Sequence, residues 1–116
     1  MKRKISVILV IIMVFSAIAN AHAATNAIGK SSTLSFSGTT ANCAASISQA
    51  GASCTLTVEL YRGGTRVAYW YDADIGSASV SDTVSGCISG QTYTLRVSGT
   101  VDGVSVYYSP ITKTCP

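Results

Sequence analysis

Hydrophobic and polar residues alternate along most of the chain after residue 32, which is the pattern of half-buried β-strands. In the clearest run, which begins at Cys54, every second residue through Leu60 is apolar. Similar alternation covers residues 93–101 and 104–108. Outside the first residues, no stretch repeats with the period of an amphipathic helix. The pattern therefore predicts an all-β protein.

Two glycine-containing dipeptides predict tight hairpins. Asp102-Gly103 separates the last two alternating runs and suits a two-residue type I′ turn. Gly63-Gly64 follows the first run and gives a second hairpin signal. Together with weaker runs elsewhere, these signals predict about seven short strands, which favours a β-sandwich of two antiparallel sheets.

The segment that reads GQTYTLRV, residues 90–97, resembles the tyrosine-corner strand of fibronectin type III domains. In that family a tyrosine ring caps the core and its hydroxyl bonds back to the corner, a role that falls on Tyr93 here. The resemblance implies an immunoglobulin- or fibronectin type III-like two-sheet sandwich. The tryptophan usual in the third strand of immunoglobulin domains is missing.

The chain after the leader also resembles small secreted β-sandwich proteins of Gram-positive bacteria. The matching pieces are residues 35–38 leading to Cys43, residues 60–64, and residues 93–100. The resemblance implies a secreted bacterial β-sandwich. It brings no catalytic residues with it, so function has to be argued from the residues themselves.

The first 23 residues have the three parts of a secretory signal peptide. A basic start at Met1–Lys4 precedes an apolar run at Ile5–Phe15, and Ala21-His22-Ala23 offers a cleavage site. The apolar run is short for a membrane span. We therefore expect a signal peptide at 1–23, a flexible N-terminus at 24–31, one domain at 32–116, and a secreted product without a membrane anchor.

Charge argues against some partners. The formal net charge of +3 comes entirely from the three basic residues of the leader, so the remaining chain is neutral. Attraction to nucleic acid or to an anionic membrane has no electrostatic support. The expected partner is an unidentified protein or glycan, and the expected state is a monomer.

An even number of cysteines in an exported chain predicts two disulfides. The four are Cys43, Cys54, Cys87 and Cys115. Zinc would use the same residues, but no C-x-x-C pair occurs and the one histidine lies in the leader. Local register favours Cys87–Cys115 with Cys43–Cys54, whereas sandwich topology favours Cys43–Cys115 as a rival.

Candidate catalytic groups are scarce. Without a histidine after the leader, a Ser-His-Asp or Cys-His site has no base, and Lys30 and Lys113 stand outside any motif. Asp72 and Asp74 form the one close acidic pair, which suits calcium or sugar chemistry or, alternatively, a solvated turn. We expect no enzyme activity, no cofactor and no metal.

Register gives the sharpest functional prediction. A two-residue turn at Gly63-Gly64 sets Leu60 opposite Val67, and this register places Trp70 on the outer face. The predicted binding residues share that outer face: Tyr61, Trp70, Arg96 and Tyr107. Aromatic residues and arginine dominate binding hot spots. The alternative is a β-bulge that turns Trp70 into the core.

Three functions fit these observations. The first is a secreted, non-enzymatic binding module for a protein or a glycan, and an exposed Trp70 would favour it. The second is a small antimicrobial or inhibitor-like effector, which would act on neighbouring cells. The third is a structural component of the cell surface, which would co-purify with the cell wall.

Overall fold

A computed structural model describes residues 27–116, which form six β-strands. The predicted signal peptide at 1–23 lies outside the described residues, as does the start of the predicted N-terminal segment. The first strand begins at Gly29, three residues before the expected start of the domain. The strands are β1 (Gly29–Ser37), β2 (Thr40–Arg62), β3 (Thr65–Val84), β4 (Thr92–Val101), β5 (Val104–Tyr107) and β6 (Ile111–Thr114).

All six strands belong to one antiparallel sheet that curls into a half-barrel around its own apolar side. The first half of β2 lies between β1 and the second half of β3. The second half of β2 lies between the first half of β3 and β4. β5 and β6 pair with opposite ends of β4. We call these two parts the first half and the second half of the sheet.

The all-β antiparallel class is confirmed, but the division into about seven strands in two sheets is not. Cys43 and the alternating run that begins at Cys54 lie on one strand of 23 residues, β2. The polar stretch between them is a register shift at 48–53, not a loop. Residues 72–77 likewise lie within β3, where Gly76 adopts a positive φ of 91°. Both strands bend there without breaking, so the hydrogen-bonded sheet remains continuous.

Apart from the register shift in β2, every second residue of β2 and β4 points into the curl and is buried, whereas β3 buries only Ala78 and Val80. β2 contributes side chains from both of its halves, so the same strand lines two walls of the core. The largest fully buried side chains are Tyr93, Ile47, Leu56, Leu60, Leu95 and Val58. The alternation that predicts half-buried strands is confirmed at these positions.

The Asp102-Gly103 turn forms as predicted. Asp102 and Gly103 have φ values of 50° and 83°, which are typical of a type I′ hairpin. Asp102 also ties the turn to β2, because its carboxylate accepts a hydrogen bond from the Ser53 N–H at 2.9 Å. Its own N–H donates to the Ser53 carbonyl at 2.8 Å. The turn is thereby anchored to the bend in β2.

Tyr93 occupies the corner at the start of β4 in the way the fibronectin resemblance implies. Its ring is buried and meets Phe36 edge to face, with 5.7 Å between the ring centroids. Its hydroxyl oxygen accepts a hydrogen bond from the Ile88 N–H at 2.8 Å, which fixes the preceding loop. The predicted corner role of Tyr93 is confirmed.

Candidate functional site

The outer face of the second half of the sheet carries a row of side chains across four strands. Tyr71 on β3 pairs with Thr57 on β2, which pairs in turn with Ser98 on β4. Ser98 pairs with Tyr107 on β5. Three strand spacings separate the two tyrosines by about 14 Å. Two aromatic rings therefore stand on either side of a floor of small hydroxyl side chains.

Arginine–tyrosine contacts fill the neighbouring rows of this face. The Arg96 guanidinium lies over the Tyr61 ring, 4.9 Å from its centroid. Arg66 lies at the same distance over Tyr69 and forms a 2.8 Å ion pair with Glu59. That hydrogen bond to Glu59 is the main reason why the pKa of Arg66 is raised. Stacking limits the freedom of both tyrosine rings before any ligand arrives.

We call this surface the tyrosine face; its members are Tyr61, Tyr69, Tyr71, Tyr107, Arg66 and Arg96. Large aromatic areas stay open to solvent there: Tyr69 is 51% exposed, Tyr71 56% and Tyr107 72%. Residues 27–116 form no enclosed pocket. A flat surface with exposed aromatic rings suits a flat or extended ligand.

Trp70 does not belong to the tyrosine face, and its predicted outward position is wrong. Arg62 pairs with Thr65 as expected, but Leu60 pairs with Ala68 and not with Val67. Val67 is the extra residue of a β-bulge, so the side chains that follow it change faces. Trp70 packs against the core, and its indole N–H donates to the Asp82 carboxylate at 3.0 Å.

The structure thus brings together three of the four predicted binding residues and adds two tyrosines. Tyr61, Arg96 and Tyr107 share the outer face as the alternation predicts. Tyr69 and Tyr71 were missed, because the unbulged register assigns both to the core. A bulge leaves no dependable mark in a single sequence, although a lone tryptophan in a small domain favours the buried alternative.

The acidic pair, Asp72 and Asp74, accepts hydrogen bonds from backbone N–H groups. Asp72 accepts a hydrogen bond from the Ser79 N–H at 2.9 Å, and Asp74 accepts one from the Ile75 N–H at 2.8 Å. Across residues 27–116, no group of three or more histidine, cysteine or acidic side chains is placed to hold a metal ion. A structural role, as acceptors for backbone N–H groups of β3, therefore accounts for both carboxylates.

All four cysteines are buried and have free thiols in this structure. The predicted Cys43–Cys54 bridge is wrong, because both residues lie on β2 and no hairpin brings them together. Residues around Cys43 pair with β1 and β3, whereas Cys54 pairs with Asp74 and Val101. The strand keeps the two thiols in different halves of the sheet.

Cys43, Cys87 and Cys115 lie close to one another near the start of β4. The Gly90 N–H donates to the Cys115 carbonyl at 2.8 Å and the Cys115 N–H donates to the Gln91 carbonyl at 2.9 Å, so Cys115 lies beside the loop that follows Cys87. Burial raises the pKa of Cys43 to about 11 and also raises the pKa of Cys115, and in both cases the nearby Cys87 adds to the shift. Cys87–Cys115 and the rival Cys43–Cys115 therefore both remain predictions.

Comparison with known proteins gives a likeness of fold. No known protein family and no curated protein sequence matches the chain. Among solved structures, the chain is similar to the sensor domain of the anti-sigma factor RsgI4 of Pseudobacteroides cellulosolvens. The match has a TM-score of 0.50 and 15% identity, and it covers 76% of this chain and 88% of that chain.

At this identity the likeness concerns the fold alone. It supports the all-β architecture, and it transfers no residue of the tyrosine face. In the part of the chain that the structure describes, no helix is long and apolar enough to cross a membrane.

Proposed function

We propose that this protein is an exported, non-enzymatic binding module that holds a protein or glycan ligand on its tyrosine face. The observation that carries the proposal is the exposure of Tyr69, Tyr71 and Tyr107 on one face beside two stacked arginines. Tyrosine and arginine are enriched in binding hot spots, and rings that are already restrained lose less entropy on binding.

Two further observations support export and a binding role. Residues 1–23 have the sequence of a signal peptide, which directs the chain out of the cytoplasm. The similar solved structure is the sensor domain of an anti-sigma factor, and sensing requires recognition of a signal. A non-enzymatic role agrees with the lack of histidine after the leader.

The test is capture of ligands by the secreted protein. Wild type is applied to a glycan array and used in pull-downs from envelopes of the producing cells, beside a Tyr71→Ala/Tyr107→Ala variant. The variant should lose binding by roughly 30-fold or more, as expected when hot-spot side chains are truncated. The two substitutions lie on exposed positions of β3 and β5, so the fold should survive them.

A matched control removes exposed apolar side chains elsewhere. Ile88→Ala/Val104→Ala truncates two residues that are exposed but lie outside the tyrosine face. This control should bind like wild type. Equal binding by wild type and the tyrosine variant, or an equal loss in the control, would contradict the proposal.

A further inference from the structure

The outer edge of β3 is a second surface with binding capacity. β3 pairs with β2 on one side, and no other described strand pairs with its opposite side. An open edge of this kind presents backbone N–H and C=O groups to an incoming strand. At Thr65–Val84, a length of 20 residues, it offers more edge than one short peptide needs.

The direction of the edge amides follows from the register. In an antiparallel pair, successive residues point their amides alternately toward the partner and away from it. The Ile75 N–H points away from β2, because it donates to the Asp74 carboxylate. The register continues unshifted from Ile75 back to Tyr69. Tyr69, Tyr71 and Ala73 therefore also present their N–H and C=O groups at the open edge.

Backbone N–H groups in the second half of β3 are capped by carboxylates of the same strand. The Ser79 N–H donates to Asp72 at 2.9 Å, and the Thr83 N–H donates to Asp82 at 2.8 Å. A strand that approached this half would have to displace these side chains, which is a common protection of sheet edges. Between residues 69 and 73, none of the described side chains caps an edge amide in this way. Protection therefore ends where the two exposed tyrosines begin.

Charge indicates the kind of strand that fits. The edge strand carries Asp72, Asp74 and Asp82, whereas its one basic residue, Arg66, is paired with Glu59. Since residues 24–116 carry no formal net charge, this edge is more acidic than the rest of the surface. A second copy would bring the same three aspartates to the same edge, so self-pairing is disfavoured.

We propose that the edge at 69–73 binds an extended, basic segment of a protein partner as an added β-strand. The backbone groups of Tyr69, Tyr71 and Ala73 form the new ladder, and the rings of the two tyrosines flank the added strand on the outer face. Lysine or arginine side chains on the other face meet Asp72 and Asp74. This inference rests on the proposed binding function and names its partner class.

The test uses a library of random linear peptides of about seven residues, a length that spans the open edge. The library is displayed on phage and selected on the secreted protein. Selected peptides should be rich in lysine and arginine and poor in proline, and they should slow hydrogen exchange at the amides of Tyr69, Tyr71 and Ala73. An Ala73→Pro substitution removes one edge N–H and leaves the ladder with β2 intact, so it should weaken binding at least about tenfold.

Two controls keep the result interpretable. Ser81→Pro makes the same change in the second half of β3 and should bind the selected peptides like wild type. Asp74→Asn keeps an oxygen for the Ile75 N–H and removes the charge, so it should weaken basic peptides only. No enrichment of basic peptides, or equal binding to the Ala73→Pro variant, would overturn the proposal. Protection of the edge amides that rises with protein concentration in the absence of peptide would also overturn it, since a second copy would then be the occupant.

The proposed strand-binding edge and the proposed binding role of the tyrosine face can be refuted independently. Tyr107 lies about three strand spacings away from the β3 edge, so Tyr107→Ala should leave peptide binding unchanged. If the wild-type protein binds the selected peptides but captures neither envelopes nor glycans, the tyrosine face alone is refuted. Capture by the tyrosine face without peptide selection would refute the edge alone.

Discussion

Gly99 offers a sharp test of the way the sheet closes on itself. It lies on the inward side of β4, opposite Leu56 of β2. A Cβ at this position would lie 2.9 Å from Ile47 Cδ1 and 3.0 Å from the carbonyl oxygen of Thr55. Ile47 belongs to the first half of the sheet and Gly99 to the second. The contact therefore crosses the interior of the curl.

Gly99→Ala should destabilise the protein by about 1–3 kcal/mol, the usual cost of overpacking a core. The Thr55 carbonyl is backbone and cannot retreat without disturbing the ladder between β2 and β4. Ile47 can be trimmed, because Ile47→Val removes the Cδ1 atom at a cost of about 0.5–1.5 kcal/mol. The double variant should then be more stable than the sum of the single effects predicts, by about 0.5–1 kcal/mol.

The assay is urea unfolding followed by circular dichroism, with the free energy of unfolding as the result. Gly64→Ala is the matched control, because no atom lies within 4 Å of a Cβ at that position and its φ is not in the left-handed range. It should change stability by no more than about 0.5 kcal/mol. If Gly99→Ala leaves the free energy of unfolding unchanged, or if the effects of Gly99→Ala and Ile47→Val are strictly additive, the two halves of the sheet do not meet at Ile47 and Gly99.

Three further changes test the corner, the cysteine cluster and the turn. Tyr93→Phe leaves the Ile88 N–H without its acceptor and should lower the free energy of unfolding by about 1 kcal/mol in urea titrations; an unchanged value would argue against the corner bond. In the reduced protein, stability should hold below pH 9 and fall toward pH 11 by up to about 2–3 kcal/mol, because the folded state keeps the Cys43 thiol protonated up to a pKa of about 11. The fall should be smaller in Cys43→Ala when both proteins are unfolded across this pH range, and an equal fall would contradict the assignment. Asp102→Val should cost about 1–2 kcal/mol, because a β-branched residue resists the positive φ and cannot accept from Ser53, whereas Asp102→Asn should lie within about 0.5 kcal/mol of wild type; thermal unfolding of both variants gives the comparison.

Local features of this fold could be predicted where short-range physics decides the outcome. Asp102-Gly103 forms its turn because the dipeptide tolerates positive φ and no alternative suits it better. Tyr93 is buried at the corner because alternation places its ring on the same face of β4 as Leu95 and Val97, which belong to the core. The outward positions of Tyr61, Arg96 and Tyr107 follow from the same alternation.

Features that depend on the whole sheet could not be predicted in this way. The bulge at Val67 is favoured when the indole of Trp70 gains core contacts and the Asp82 hydrogen bond, and both partners are distant in sequence. One extra residue then moves Tyr69 and Tyr71 to the outer face. The continuity of β2 through residues 48–53 likewise depends on partners in β1, β3 and β4. The predicted Cys43–Cys54 bridge is wrong for that reason.

The central claim is that the tyrosine face is where the protein meets its partner, and hydroxyl-radical footprinting tests it most directly. The secreted protein is labelled alone and in the presence of envelopes from the producing cells, and each tyrosine is read by mass spectrometry. Labelling of Tyr69, Tyr71 and Tyr107 should fall several-fold with envelopes, since hot-spot residues are fully desolvated on binding. Ile88, which is exposed outside that face, should label equally in both samples. Unchanged labelling of the three tyrosines, with the protein bound to the envelopes, would contradict the claim.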